Sequence, residues 1–128
     1  VTRFGAWQNK TQKQRLKIFS ERELAACTDQ NNQLEAFKLA ARFAAKEAFF
    51  KAFSAACSML GIINTPFSLL FVCNHVRVNQ NSWGVPELII DWQAFEKKLG
   101  PLPQLDVKLS LSHERDFALA FVIISKNV

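Results

Sequence analysis

From Leu34 to Met59 the chain contains neither proline nor glycine, and the first breaker after it is Gly61. Apolar residues recur through this run at helical spacing, so it is predicted to form one long helix. In a chain of 128 residues, a helix of that length becomes the spine on which everything else packs. Its central stretch, "LAARFAAKEAFFKAF" from Leu39 to Phe53, is rich in alanine and phenylalanine, yet it also holds Arg42, Lys46, Glu47 and Lys51. The fold and the function both turn on how these charges are placed.

At 100° per residue, Ala41, Ala44, Ala45, Ala48 and Ala52 share one arc, a smooth ridge able to press closely on a sheet or another helix. The opposite arc sets Arg42 and Lys46 among Phe49, Phe50 and Phe53, with Glu47 and Lys51 one turn apart on its flank. Two readings fit this spacing. In the first, long cationic side chains lie over neighbouring phenylalanines and Glu47–Lys51 is an ordinary i,i+4 ion pair. In the second, the arc is a cleft floor whose cations hold a polyanion and whose carboxylate holds a divalent metal.

Around the spine, "FSEREL" places Ser20 three residues before Glu23, a capping box that starts a short helix at Glu21. The polar run "TDQNNQ" reads as a loop and "GIINTPFS" as a linker. "LLFVCNHVRV" is rich in β-branched and aromatic residues and is predicted as a strand, returning through the turn "NQNSWGVP" to a second strand at "ELII". "DWQAFEKKLG" has helical spacing with Gly100 as C-cap. "LDVKLSLS" alternates, "HERD" turns and "FALAFVIIS" returns. The expected class is α+β, a single domain over 1–128 with an antiparallel sheet packed on a long central helix.

The net charge of +5 favours an anionic partner, whether phosphate, nucleic acid or acidic protein. Much of it lies in Lys10, Lys13, Arg15, Lys17 and Arg22; such a segment is most often a solvated face. A nucleic-acid-binding domain is disfavoured, because the cations are not interleaved with aromatics along a strand platform. Cys27, Cys57 and Cys73 match no zinc or disulfide spacing and read as reduced thiols of a cytoplasmic protein. The longest uncharged apolar run, Met59 to Cys73, is broken by Gly61, Asn64 and Pro66, which argues against a membrane span. His75 reads as structural, and Glu114 and Asp116 as turn acids.

The segments "RLKIFSERELAAC", "KLAARFAAKEAFFKAF", "WGVPEL" and "LDVKLSLSHERDFALAFVI" resemble, in order and character, the holo-acyl-carrier-protein synthases, the small bacterial 4′-phosphopantetheinyl transferases. "RFAAKEAFFKAF" with "SLSH" carries the resemblance; W-G-x-P alone is weak. It implies transfer of the phosphopantetheine arm of coenzyme A to a serine of an acyl carrier protein, with release of adenosine 3′,5′-bisphosphate. It further implies that Glu47 binds Mg²⁺ and that Lys51 contacts the phosphates or activates the serine. Arg42 and Lys46 would grip coenzyme A phosphates, and His113 would lie near the nucleotide. Lys10 to Arg22 would dock the acidic carrier protein, and a homotrimer would place active sites between subunits.

Three departures from the family pattern stand out. The resemblance implies a preceding strand with G-x-D, whose aspartate is a second metal ligand, and "VTRFG" begins just after where that strand should end. The expectation is therefore a chain lacking its first strand. Second, "SAACSMLGIINTPFSLL" stands where a glycine-rich turn is usual. Third, Phe50 occupies a position where a smaller residue is common. The alternative function is a non-catalytic or truncated relative that binds coenzyme A or a carrier protein.

Overall fold

The computed structural model describes residues 10–62, 66–114 and 117–126. The opening "VTRFG" segment and Asp116 lie outside the described residues. In chain order the elements are α1 (Gln12–Arg15), α2 (Glu21–Ala26), α3 (Ala36–Met59), α4 (Leu69–His75), β1 (Val76–Gln80), β2 (Pro86–Ile90), α5 (Trp92–Leu99), β3 (Leu105–His113) and β4 (Ala118–Lys126). The antiparallel strands form two hairpins, β1–β2 and β3–β4, rather than one continuous ladder.

The spine begins two residues later than its apolar pattern suggests. Leu34 pairs with Thr28 across a small bridge, and Asp29 Oδ1 accepts the backbone N–H groups of Asn31 and Gln33, closing the polar loop before α3 can start. The Ser20–Glu23 capping box forms as predicted. A second one, Thr11 with Gln14, starts α1 inside the segment read only as basic. Gly100 ends α5 at φ 91°, donating its N–H to the Glu96 carbonyl at 2.8 Å.

The predicted strand "LLFVCNHVRV" is corrected: Leu69–His75 is helix α4 and only Val76–Gln80 is extended. Ser68 explains the difference, because its side chain accepts the Phe71 N–H and caps the helix. Once capped, the segment buries Val72 and Cys73, so tertiary packing overrides β propensity.

The core gathers in two clusters, one of them formed by Phe19, Leu24, Cys27, Leu34, Leu39 and Ala40. An aromatic cluster surrounds Phe49, Phe53 and Phe95, with Phe49 and Phe53 stacked at 5.3 Å and Phe53 edge-on to Phe95 at 5.2 Å. β4 packs along α3, and its Val122 and Ile124 lie against this same cluster. Ala41 and Ala45 are buried and Ala44, Ala48 and Ala52 half-buried, and these short side chains permit the close approach expected of the ridge. In β4 the even-numbered residues Ala120, Val122 and Ile124 are half-buried. Leu119, Phe121 and Ile123 point outward, Phe121 being 64% and Ile123 68% exposed.

Candidate functional site

The charges of α3 are divided between two environments, which the wheel reading had placed on one arc. Glu47 and Lys51 face outward, their side chains 38% and 73% exposed, and form an i,i+4 pair at 3.3 Å. Phe43 and Phe50 flank them on the half-buried side, and Phe50 is held edge-on by Phe67 at 5.7 Å. The bulkier Phe50 is thus supported from behind. Among the described residues, no group of three or more His, Cys, Asp or Glu side chains is clustered as a metal site. Glu47 is nonetheless an accessible hard oxygen donor, and Mg²⁺ is commonly held by one or two carboxylates completed by substrate phosphates and water.

Lys46 is a correction to the cleft reading. Its side chain is fully buried, and its ammonium donates to Glu23 Oε1 at 2.8 Å, the Ile18 carbonyl at 2.6 Å and the Cys73 carbonyl at 3.1 Å. An ammonium has three protons, and all three are used inside the fold. Lys46 therefore has none to offer a phosphate in this arrangement. Glu23 is equally engaged: Oε1 also accepts the Ser20 N–H, and Oε2 accepts the Val78 N–H at 2.8 Å. One ion pair ties the α1–α2 turn, α2, α3, the end of α4 and β1 together.

Arg42 is also inside, 7% exposed, with Nη1 donating to the Lys38 carbonyl at 3.4 Å and Nε buried without a partner among the described residues. His113 ends β3, is exposed, and rests its ring on Phe37 in the first turn of α3 at 5.3 Å. Ten residues of helix separate Phe37 from Glu47, a rise of about 15 Å. His113 and the Glu47–Lys51 pair therefore mark two stations along one helix rather than one cluster. His75 lies against Phe71 with the ring centroids 4.4 Å apart and the planes tilted by 45°, and its Nδ1 is 3.7 Å from Asp91 Oδ2.

Sequence reasoning missed Glu23 as the counterion of Lys46. The capping box revealed the residue but not its long-range partner, since the two are 23 positions apart. It also missed Phe37 as the platform under His113. A cavity of about 330 Å³ is lined by residues including Leu16, Phe19, His75, Arg77 and Asp91, none of them a predicted site residue.

The three cysteines are free and buried. Burial pushes the Cys27 thiol up to about 11, with Arg42 opposing the rise and Glu23 adding to it. Burial raises Cys57 and Cys73 as well.

Compared with known proteins, residues 6–122 match the profile of the 4′-phosphopantetheinyl transferase superfamily, ACPS type. The chain is 35% identical over 113 residues to a holo-[acyl-carrier-protein] synthase of Cytophaga hutchinsonii, covering 86% of this chain and 78% of that protein. It is 33% identical over 124 residues to the same-named protein of Treponema pallidum, covering 97% and 87%. Its fold is similar to a Chronobacterium ammoniagenes ACPS–CoA complex, with TM-score 0.74, 24% identity, and 100% and 92% of the two chains covered. It is also similar to the holo-[acyl-carrier-protein] synthase of Neisseria meningitidis, with TM-score 0.65, 27% identity, and 98% and 90% covered.

Proposed function

Since the chain belongs to the 4′-phosphopantetheinyl transferase superfamily, we propose that it is a holo-acyl-carrier-protein synthase. It transfers phosphopantetheine from coenzyme A to a serine of an acyl carrier protein. The observation that carries this reading is the outward-facing Glu47–Lys51 pair within "AAKEAFFK". A solvent-facing carboxylate and ammonium on a rigid helix suit a displacement at phosphorus, where the enzyme's work is positioning and charge stabilisation.

The serine oxygen forms a bond to the phosphorus nearer pantetheine while the bridging pyrophosphate oxygen departs on adenosine 3′,5′-bisphosphate. Lys51, on an exposed flexible stem, contacts the phosphates or, through water, eases removal of the serine proton. Glu47 would hold Mg²⁺, which when bound neutralises charge on the pyrophosphate. His113, backed by Phe37, offers a ring for the nucleotide end. Arg42, which pairs with no carboxylate among the described residues, remains a candidate phosphate ligand, whereas Lys46 supports α3 from within.

The apolar outer face of β4, with Leu119, Phe121 and Ile123 exposed, supports assembly into a homotrimer through that hairpin. Lys13, Lys17 and their neighbours form the docking face for an acidic carrier protein of fatty-acid or polyketide synthesis. Among the described residues no helix is long and apolar enough to cross a membrane. Three free thiols suit a cytoplasmic setting.

The deciding experiment is transfer of labelled pantetheine from coenzyme A to a panel of apo carrier proteins. Modification of at least one, dependent on Mg²⁺, is the expected result. Binding of coenzyme A without transfer to any of them would leave a non-catalytic binder instead.

A further inference from the structure

The β1–β2 hairpin has two unlike faces. Val76 pairs with Ile90 and Val78 with Leu88; both valines are buried, and Leu88 and Ile90 pack against the aromatic cluster. Side chains alternate along a strand, so Arg77 and its partner Ile89 take the other face. His75 and Asp91 continue that row, the Asp91 N–H donating to the His75 carbonyl at 2.9 Å. All four residues border the cavity of about 330 Å³, which Leu16 and Phe19 from the turn between α1 and α2 also line.

This cavity carries two opposite charges that do not meet. Arg77 is half-buried and pairs with no carboxylate among the described residues. Asp91 stands two residues beyond the partner of Arg77, a diagonal that sets the two Cα atoms about 7–8 Å apart. Only one oxygen of Asp91 is committed: Oδ1 accepts the Ala94 N–H at 3.2 Å and caps α5, whereas Oδ2 lies 3.7 Å from His75 Nδ1, too far for a hydrogen bond. Leu16 and Ile89, each 37% exposed, and the buried Phe19 add apolar surface to the same cavity.

We propose that this cavity binds a free α-amino acid with an apolar side chain. Its carboxylate meets the planar fork of Arg77, its ammonium meets Asp91 Oδ2, and its side chain covers Leu16, Phe19 and Ile89. A plain carboxylate would bring a second negative charge to Asp91, and a plain amine a second positive charge to Arg77; a zwitterion satisfies both ends. In a peptide the two charged groups belong to different residues and stand farther apart. Ligand pockets run from about 300 to 1,000 Å³, so a cavity at the lower end suits a molecule of this size. Arg77 and Asp91 have no part in the transferase reading, and the site does not depend on it.

The test is calorimetric titration of the full chain with L-leucine, repeated on Arg77→Gln and Asp91→Asn. Neither change touches a fully buried side chain, and asparagine still caps a helix. Saturable binding by the parent, weakened about tenfold or more in each variant with unchanged circular dichroism, is the expected result. L-Leucinamide lacks the carboxylate and should bind more weakly and be insensitive to Arg77→Gln. N-Acetyl-L-leucine lacks the ammonium and should likewise bind more weakly and be insensitive to Asp91→Asn. No saturable binding of leucine by the parent, or undiminished binding by either folded variant, would overturn the site. Either derivative binding as tightly as leucine would overturn the zwitterion assignment, and tighter binding of the dipeptide leucyl-leucine would overturn the choice of a free amino acid.

Discussion

Lys46 Nζ lies 2.8 Å from Glu23 Oε1, and neither side chain is exposed. Two full charges are thus buried where the family resemblance had implied a lysine that grips phosphates. Removing one partner leaves the other as an uncompensated buried charge. Lys46→Met or Glu23→Gln should each destabilise the fold by about 3–5 kcal/mol. Urea unfolding monitored by circular dichroism measures this. Losses below about 1 kcal/mol would mean that water reaches the pair.

Glu47 and Lys51, by contrast, are exposed and replaceable without disturbing the core. Glu47→Gln should lower phosphopantetheine transfer about a hundredfold or more and shift the Mg²⁺ requirement upward, with the unfolding midpoint unchanged. Near-parent turnover at limiting Mg²⁺ would remove Glu47 from the site. Lys51→Ala should reduce turnover with less effect on the Mg²⁺ dependence.

Charge reversal at Lys13 and Lys17, both exposed, tests the docking face. Lys13→Glu/Lys17→Glu should slow association with the carrier protein and flatten its salt dependence while leaving coenzyme A affinity intact. An equal loss of both affinities would assign the segment to the nucleotide site.

The outer face of β4 yields a prediction about assembly. Phe121 sits opposite Ser110 across the hairpin and is mostly exposed. Phe121→Glu should shift sedimentation from trimer to monomer and reduce transfer, without loss of far-UV helical signal. A parent chain that sediments as a monomer at all concentrations would remove the trimer proposal.

Cys27 is fully buried, and its thiol is raised to about 11 from an ordinary value of 9.0 by burial above all. The unfolded thiol ionises near 9, while the folded one stays neutral to about 11. Its stabilising contribution is therefore fully present below about pH 9 and is lost as pH rises from there to about 11, by on the order of 2–3 kcal/mol. Urea midpoints between pH 8 and pH 11, compared with those of Cys27→Ala, should converge at the alkaline end. A pH-independent difference between the two proteins would contradict the assignment.

The long helix, the capped α2, α5 with its glycine terminus and both antiparallel hairpins could be read from the sequence, because each rests on local signals: periodicity, capping residues and turn chemistry. Glu47 and Lys51 were legible as a pair for the same reason, being four residues apart on one helix. Other features depended on distant partners. Leu69–His75 became helical because Ser68 capped it and the α3 face needed Val72 and Cys73 more than another strand. Lys46 became a structural residue because Glu23, far away in sequence, turns its carboxylate into the same interior. Arg42, almost alike in pattern, meets no such partner among the described residues and lies beside Arg22 and Arg77. Helical spacing determines the direction in which a side chain leaves its helix. Whether it meets water, a carboxylate or an empty cavity is decided only when the other elements close around it.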